Sequence, residues 1–119
     1  MQHSIEDIEY AEYLFDRFYG IGSSDNGGVT RLGYTEVEDE MHDTLRALGD
    51  EKGYGNYEDE VGNTYLYDKD CDMDDPYYLI GSHLDSVIEG GRYDGVAGVI
   101  TGLMILNWAK RDHLGLPIR

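Results

Sequence analysis

The sequence predicts an α/β domain in which two helices, three strands and a final helix follow one another along the chain. Three observations support this prediction. Apolar residues recur at helical spacing in residues 4–19 and 35–49, short runs rich in tyrosine and aliphatic residues lie between residues 57 and 80, and a longer apolar stretch covers residues 96–109. At 119 residues the chain is one domain at most, 1–119, and is large enough to bury a core.

Both amino-terminal helices have recognisable ends in the sequence. Ser4 is suited to cap a first helix that runs to about Tyr19. Thr35 followed by Glu38 has the spacing of a capping box and predicts the start of a second helix, which Gly49 ends. The apolar stripe predicted for the first helix consists of Ile8, Ala11, Phe15 and Tyr19. The stripe predicted for the second consists of Val37, Met41, Leu45 and Leu48.

Three strands are predicted between the second and the last helix. Residues 57–61 and 64–67 form a hairpin-like pair joined across residues 62–63, where Gly and Asn favour a turn. An acidic loop over residues 68–75 leads to the third strand, residues 77–80. This strand is short, aromatic and aliphatic, and is therefore predicted to be buried.

The last predicted helix, from about Asp94 to Lys110, contains three glycines at helical spacing: Gly95, Gly98 and Gly102. An interior glycine costs about 1 kcal/mol relative to alanine, so the helix needs a compensating interaction. Close packing of the helix on the sheet is the predicted compensation. A dinucleotide-binding interpretation of these glycines is disfavoured, because no G-x-G-x-x-G follows the third strand directly.

The segment from residue 81 to residue 95 places an imidazole and two carboxylates between the third strand and the last helix. In an extended chain His83 and Asp85 point to the same side, so Asp85 can hold the imidazole. Asp94 lies where the helix dipole favours a negative charge. His83 and Asp94 therefore predict the beginning of a divalent metal site, although two ligands do not complete one. Taken alone, His83 would be better explained as an ordinary core or surface histidine.

Composition excludes several classes of partner. With 25 acidic and 9 basic side chains, the formal charge of −16 argues against binding to nucleic acids or anionic membranes. The apolar stretch of residues 96–109 is too short and too interrupted to span a bilayer. The acidic amino terminus does not resemble a signal peptide, and the single cysteine, Cys71, cannot form an intramolecular disulfide. These features predict a cytoplasmic location.

Two further groups of residues are predicted to have no special role. Residues 68–72 imitate the start of a calcium loop, but Met73 stands where glycine is needed and Leu79 where a glutamate is needed. A solvated acidic turn is the preferred interpretation. The remaining histidines match no motif and are predicted to lie on the surface: His3, His42 and His113.

Three motifs in the chain resemble those of the N-carbamoyl-amino-acid hydrolases, ureidopropionases and allantoate amidohydrolases. Residues 81–95 resemble the family stretch G-S-H-x-D-[ST]-V…G-G-x-x-D-G, residues 27–35 resemble G-G-V-T-R-L-x-[YF]-[ST], and residues 60–63 resemble a D-x-V-G-N connection. The matches occur in the family's order over roughly residues 5–112 and are more specific than a lone glycine motif. This family is a branch of the dinuclear-zinc aminoacylase and carboxypeptidase superfamily. The resemblance implies the amino-terminal part of a zinc-peptidase-like three-layer domain.

The resemblance also implies roles for individual residues. His83 is expected to bind one zinc ion, Asp94 to bridge two, and Asp85 to orient His83. Thr30 and Arg31 belong to a loop that approaches the active site in the family, where they either contact substrate or anchor the loop through hydrogen bonds, and anchoring is preferred. A complete site is expected to hold two Zn²⁺ or Mn²⁺ ions, which polarise the substrate carbonyl and supply hydroxide.

Other parts of the family's active site have no counterpart in this sequence. The family has an adjacent pair of glutamates on the strand after the last helix and further histidine ligands later, whereas this sequence stops at Arg119. The chain is therefore expected to be a truncated amino-terminal part of a catalytic domain, with weak or absent metal binding and no activity by itself. An uncovered sheet edge and an exposed apolar helix face predict self-association or marginal stability unless the acidic charge suppresses it, and the missing carboxyl-terminal portion is the other possible partner.

The expected activity of the complete enzyme is hydrolysis of the C–N bond of a small N-carbamoyl amino acid or a related ureide. Within the superfamily, the alternative is an aminoacylase or a peptidase. From another class, the alternative is a non-catalytic folded remnant or module whose acidic face binds cations or a basic protein.

Overall fold

A computed structural model describes residues 4–72 and 74–119, and its regular elements follow the predicted α/β order. The helices are α1 (Ile5–Tyr19), α2 (Glu36–Glu51) and α3 (Val96–Arg111), and the strands are β1 (Gly55–Glu58) and β2 (Thr64–Tyr67). β1 and β2 form an antiparallel hairpin. α1 packs against α3, while α2 packs against the hairpin. None of the helices within this described part is long and apolar enough to cross a membrane.

The core-facing stripe of α1 differs from the predicted one. Leu14 and Phe18 are fully buried, and Ala11 and Phe15 pack beside them. Ile8, predicted to lie on the stripe, is 56% exposed. The stripe is therefore centred on the 11, 14, 15 and 18 positions, which form one helical face. The prediction was wrong by one position because several residues of α1 are apolar or aromatic and fit more than one face.

Both predicted N-cap positions are confirmed, Ser4 for α1 and Thr35 for α2, but the capping box predicted for Thr35 and Glu38 is not formed. Ser4 Oγ accepts a hydrogen bond from the Asp7 N–H (3.1 Å), and Asp7 Oδ2 accepts one from the Ser4 N–H (3.0 Å). Thr35 is the N-cap of α2 but its side chain makes no capping bond. The Glu38 carboxylate instead accepts a hydrogen bond from the N–H of Tyr34, a residue with a positive φ of 63°.

Gly49 lies inside α2 and does not end it, contrary to the prediction. The helix continues to Glu51. A Cβ added at Gly49 would lie 2.8 Å from Leu66 Cδ2, so the missing side chain allows β2 to approach the helix closely. The predicted apolar stripe of α2 is otherwise confirmed, since Met41, Leu45 and Leu48 are all buried.

The first strand of the hairpin is displaced toward the amino terminus relative to the prediction of residues 57–61. It covers residues 55–58, because the Asp59 side chain folds the chain into a loop immediately afterwards. Asp59 Oδ1 accepts the N–H groups of Val61 (3.1 Å) and Asn63 (2.9 Å), an interaction typical of turns. The second strand has the predicted bounds.

The predicted third strand is extended but does not join the hairpin. It pairs in parallel with the last residues of the chain: the Tyr78 N–H donates to Pro117 O (2.8 Å), and the Arg119 N–H donates to Tyr78 O (2.9 Å). Burial was predicted wrongly, since Tyr78 and Leu79 are 63% and 64% exposed. The pattern of apolar residues indicates that the strand can be buried, but burial requires layers on both faces.

The three glycines of the last helix lie against this extended segment: Gly95, Gly98 and Gly102. A Cβ at these positions would lie 2.3 Å from His83 O, 2.6 Å from Ser82 Cβ and 3.2 Å from Ile80 Cγ2, respectively. The predicted compensation for the glycines, close packing, is therefore present, and residues 80–83 provide it. The helix itself begins at Val96, slightly later than predicted.

Candidate metal centre

His83 lies at the end of the extended segment, over the start of α3. Its Nδ1 atom is 3.0 Å from Asp85 Oδ1 and 3.1 Å from the Asp85 carbonyl oxygen. In the tautomer that carries its proton on Nδ1, the imidazole donates to Asp85 and keeps the Nε2 lone pair for another partner. This is the arrangement by which carboxylates orient metal-binding histidines.

The second candidate ligand, Asp94, is positioned by a tight turn at the start of α3. Its carbonyl oxygen accepts the Val96 N–H (2.8 Å) across Gly95, which has φ 72° and ψ −50°. These values define a γ-turn with a positive φ, a conformation that is strained for any residue with a side chain. Gly95 thus satisfies two requirements, because it adopts the turn and leaves room for the His83 ring.

The two candidate ligands face each other. His83 Nε2 is 4.0 Å from Asp94 Oδ1, and the side chains are 51% and 60% exposed, respectively. Zinc bonds an imidazole nitrogen and a carboxylate oxygen at about 2.0–2.2 Å in a tetrahedral site, so the two atoms would have to approach by about 0.5 Å to share one ion, and their chemistry suits Zn²⁺. Within residues 4–72 and 74–119, at this site as elsewhere, no three His, Cys, Asp or Glu side chains gather in a way that could hold a metal ion.

The contacts of Arg31 are those of a residue that anchors the loop after α1. The side chain is 1% exposed, its Nε donates to Ile21 O (2.8 Å), and its Nη2 donates to Phe18 O (2.6 Å). Burial lowers the pKa of Arg31. A positive charge near the last carbonyls of α1 also interacts favourably with the helix dipole. These contacts hold the loop after α1 in place.

Thr30 joins the same loop to the segment that connects Asp85 with Asp94. Its Oγ1 accepts the Glu89 N–H (3.0 Å). Beside it, the backbones of residues 29 and 90 exchange two hydrogen bonds of 2.9 and 2.7 Å. These hydrogen bonds therefore tie the loop to the segment that connects the candidate metal residues.

Ser86 is a supporting residue that the sequence did not single out. It is 6% exposed, its Oγ accepts the Arg31 N–H (2.9 Å), and its backbone N–H donates to Arg31 O (2.8 Å). The feature of the sequence that could have identified Ser86 is its place directly after Asp85 within the motif of residues 81–95. Its buried bonds fix the direction in which the chain leaves Asp85.

His42 is not the surface residue that was predicted. It is half-buried, its Nδ1 lies 2.8 Å from Thr64 Oγ1, and its Nε2 lies 3.7 Å from Glu38 Oε1. It therefore links α2 to β2, a contact that depends on tertiary packing and has no signal in the sequence. His113 is exposed as predicted, and His3 lies outside the described residues.

The acidic loop forms local turns. The Asp70 N–H donates to Asp68 Oδ1 (3.1 Å), and the Asp74 N–H donates to Asp72 Oδ1 (2.9 Å). Each carboxylate accepts a hydrogen bond from the backbone two residues later, which agrees with an acidic turn rather than a calcium loop. Met73 lies outside the described residues.

A groove of about 840 Å³ runs alongside the candidate centre. We call it the edge groove; its walls are formed by α2, residues 61–66, residues 79–85, α3 and residues 118–119. His83 and Asp85 line it, whereas Asp94 is not among the described residues that do. The groove therefore follows the extended segment and is not centred on the His83–Asp94 pair.

Comparison with known proteins identifies the family. No family model matches the chain. The sequence is 36% identical, over 98% of its length, to the allantoate amidohydrolase of Bacillus subtilis, and 38% identical, over 72% of its length, to the N-carbamoyl-L-amino acid amidohydrolase of Geobacillus stearothermophilus. The fold matches a hydantoinase/carbamoylase family amidase from Burkholderia ambifaria over 92% of the chain, with a TM-score of 0.83 and 30% identity. The chain belongs to this amidase family.

The family assignment made from the three sequence motifs is thus confirmed, and so is the fold class. The chain spans about a quarter of the length of these proteins: 27% of the B. subtilis protein, 21% of the G. stearothermophilus protein and 28% of the B. ambifaria protein. The metal-binding roles of His83, Asp85 and Asp94 stay predictions.

Proposed function

We propose that this chain carries half of a dinuclear metal site that hydrolyses the C–N bond of N-carbamoyl amino acids or related ureides in the cytoplasm. The observation that carries the proposal is the orientation of one imidazole. Asp85 holds His83 through Nδ1, and this leaves Nε2 facing Asp94 Oδ1 at 4.0 Å. The relatives named as amidohydrolases support the same class of reaction.

Each residue has a distinct task in this proposal. Bound Zn²⁺ or Mn²⁺ ions polarise a carbonyl and lower the pKa of water. Asp85 keeps the His83 proton on Nδ1, so that Nε2 stays available as a ligand. Asp94 offers two carboxylate oxygens, one for each of two ions. The further ligands and the general base have to come from residues outside this pair.

The isolated chain is accordingly expected to release no detectable ammonia from N-carbamoyl amino acids, ureidopropionate or allantoate. Losing a general base alone lowers a rate by a factor of about 10²–10⁴. The function is therefore tested in a chimera, in which this chain replaces the matched region of the B. subtilis allantoate amidohydrolase. Metal content and ammonia release are measured on the same folded preparation.

We expect the chimera to hold zinc or manganese and to hydrolyse at least one of these substrates. Asp94→Ala should abolish the activity, whereas Asp75→Ala, a change of an exposed acid remote in sequence, should leave it intact. A folded chimera that keeps its activity in Asp94→Ala would refute the assignment of this residue. A folded chimera that binds no metal would refute the proposed site as a whole.

A further inference from the structure

We propose that this chain is adapted to fold in concentrated salt, on the order of 1 M, and that it loses stability when the salt is diluted. The proposal rests on repulsion between carboxylates on the exposed faces of α1 and α2. It requires no cation bound at one place, and it does not depend on the metal chemistry proposed above.

The chain carries more negative charge than solubility requires. Its formal charge is −16, from 25 acidic and 9 basic side chains in 119 residues. A net charge of about 2–8, of either sign, is enough to keep a small domain soluble. A net charge far from zero destabilises the compact state through self-repulsion, and proteins of high-salt environments have this property. The excess charge is therefore tolerated best in a medium that screens it.

The excess of acids is pronounced on α2. Seven of its 16 residues are acidic, and Arg46 is its one lysine or arginine. The exposed acids Glu36, Asp39, Glu40 and Asp43 stand three or four positions apart. Residues at this spacing have Cβ atoms about 5–6 Å apart, and like charges there destabilise a helix. The last turn has no basic residue, although the helix dipole favours cations at that end.

The exposed side of α1 has the same pattern. Glu6, Glu9, Glu12 and Asp16 are all exposed, and each follows the previous one after three or four positions. Arg17 is the one basic residue of this helix, and its Nη1 atom lies 3.4 Å from a carboxylate oxygen at the end of α2. Repulsion along α1 therefore adds to the repulsion along α2.

The basic side chains do not neutralise these two faces. Arg31 is buried and donates to backbone carbonyls, so its charge does not reach the exposed acids. Arg92 Nη2 lies 3.6 Å from Asp16 Oδ1, at the end of α1. Among the described residues, neither Glu9 nor Glu40 forms an ion pair. Mobile cations from the solvent therefore have to screen these carboxylates.

Screening lengths indicate how much salt is needed. The Debye length is about 10 Å at 0.1 M salt and about 3 Å at 1 M. The spacing of about 5–6 Å between neighbouring acids lies within the first length and beyond the second. Dilute salt therefore leaves neighbouring carboxylates repelling one another, whereas molar salt removes most of the repulsion.

The test compares three chains in about 0.1 M and about 2 M KCl. Urea unfolding is followed by the fluorescence of Trp108, the single tryptophan. The double variant Glu9→Lys, Glu40→Lys converts four like-charge pairs at helical spacing into pairs of opposite charge, and lysine has nearly the helix propensity of glutamate. The matched control is Ala47→Gln, a neutral change at an exposed position of α2.

We expect the ratio of folded to unfolded chain to be at least tenfold higher in the concentrated salt than in the dilute salt. In dilute salt the double variant should exceed the unmodified chain by at least tenfold in this ratio. In concentrated salt the two should differ by less than threefold, because screening has already removed the repulsion. Ala47→Gln should keep the salt dependence of the unmodified chain.

Three results would overturn the proposal. One is an unmodified chain that is equally stable at both salt concentrations. Another is a double variant that gains nothing in dilute salt, or gains equally at both concentrations, because relief of repulsion would then not be the cause. The third is a chain that stays unfolded in concentrated salt, since salt would then not supply the stability that the carboxylates remove.

Discussion

Replacing Gly95 by alanine tests whether the turn before α3 and the position of His83 depend on one glycine. Gly95 has φ 72° and ψ −50°, and a non-glycine residue in such a conformation stores about 1–3 kcal/mol of strain. The added Cβ would also lie 2.3 Å from His83 O and 2.6 Å from the His83 ring. Overpacking of this kind costs about 1–3 kcal/mol when the backbone has to move. We therefore expect the free energy of unfolding to fall by at least about 2 kcal/mol.

The assay is urea denaturation followed by circular dichroism, with Gly91→Ala as the matched control. Gly91 lies in the same loop, and a Cβ there would meet nothing within 4 Å. The control should therefore stay within about 0.5 kcal/mol of the unmodified chain. If Gly95→Ala is as stable as Gly91→Ala, the requirement for glycine at this turn is refuted.

Three further changes have expected outcomes that urea denaturation can measure. Arg31→Met should destabilise the fold by about 3 kcal/mol, because two buried carbonyls lose a charged donor, and a loss below 1 kcal/mol would contradict the anchoring role. Gly98→Ala should be clearly less stable than Gly102→Ala: both gain about 1 kcal/mol of helix propensity, but the added Cβ meets its neighbour at 2.6 Å rather than 3.2 Å. Equal stabilities would argue against close packing at both sites. A hydrogen bond from the Ser4 N–H, together with Arg111, lowers the pKa of Asp7 to about 2. Asp7→Asn should therefore be less stable than the unmodified chain above about pH 4, and this difference in stability should disappear as the pH falls through 2. A difference that persists unchanged at pH 2 would contradict this linkage.

Local chemistry made much of the fold predictable. The N-cap at Ser4 and the apolar spacing of α2 depend on neighbours a few residues apart, and the structure contains both. The glycines of α3 correctly predicted close packing, although the residues they pack against, 80–83, are distant in the sequence. The error in β1 has a different origin. Its end is set by hydrogen bonds that the Asp59 carboxylate accepts from N–H groups of the following loop, and these compete with a strand that the residue types alone would favour.

The site was predictable as a set of residues but not as a geometry. The motif of residues 81–95 identified the His83–Asp94 pair, and the two-residue period correctly placed Asp85 beside the imidazole. The γ-turn at Gly95 was not predictable, because it is needed only once the His83 ring lies over the helix start. The contact of His42 with Thr64 has the same origin in tertiary packing.

The central claim is that Asp85 orients His83 so that Nε2 and Asp94 bind metal together, and zinc titration followed by NMR of the His83 ring tests it most directly. Complete structural zinc sites are worth about 10–16 kcal/mol, and two of four ligands should bind far more weakly. We expect the free ring to carry its proton on Nδ1 and zinc to shift Nε2, with the shift lost in Asp94→Ala and retained in His113→Asn. Zinc bound at Nδ1, or a shift of Nε2 that is unchanged in Asp94→Ala, would contradict the account.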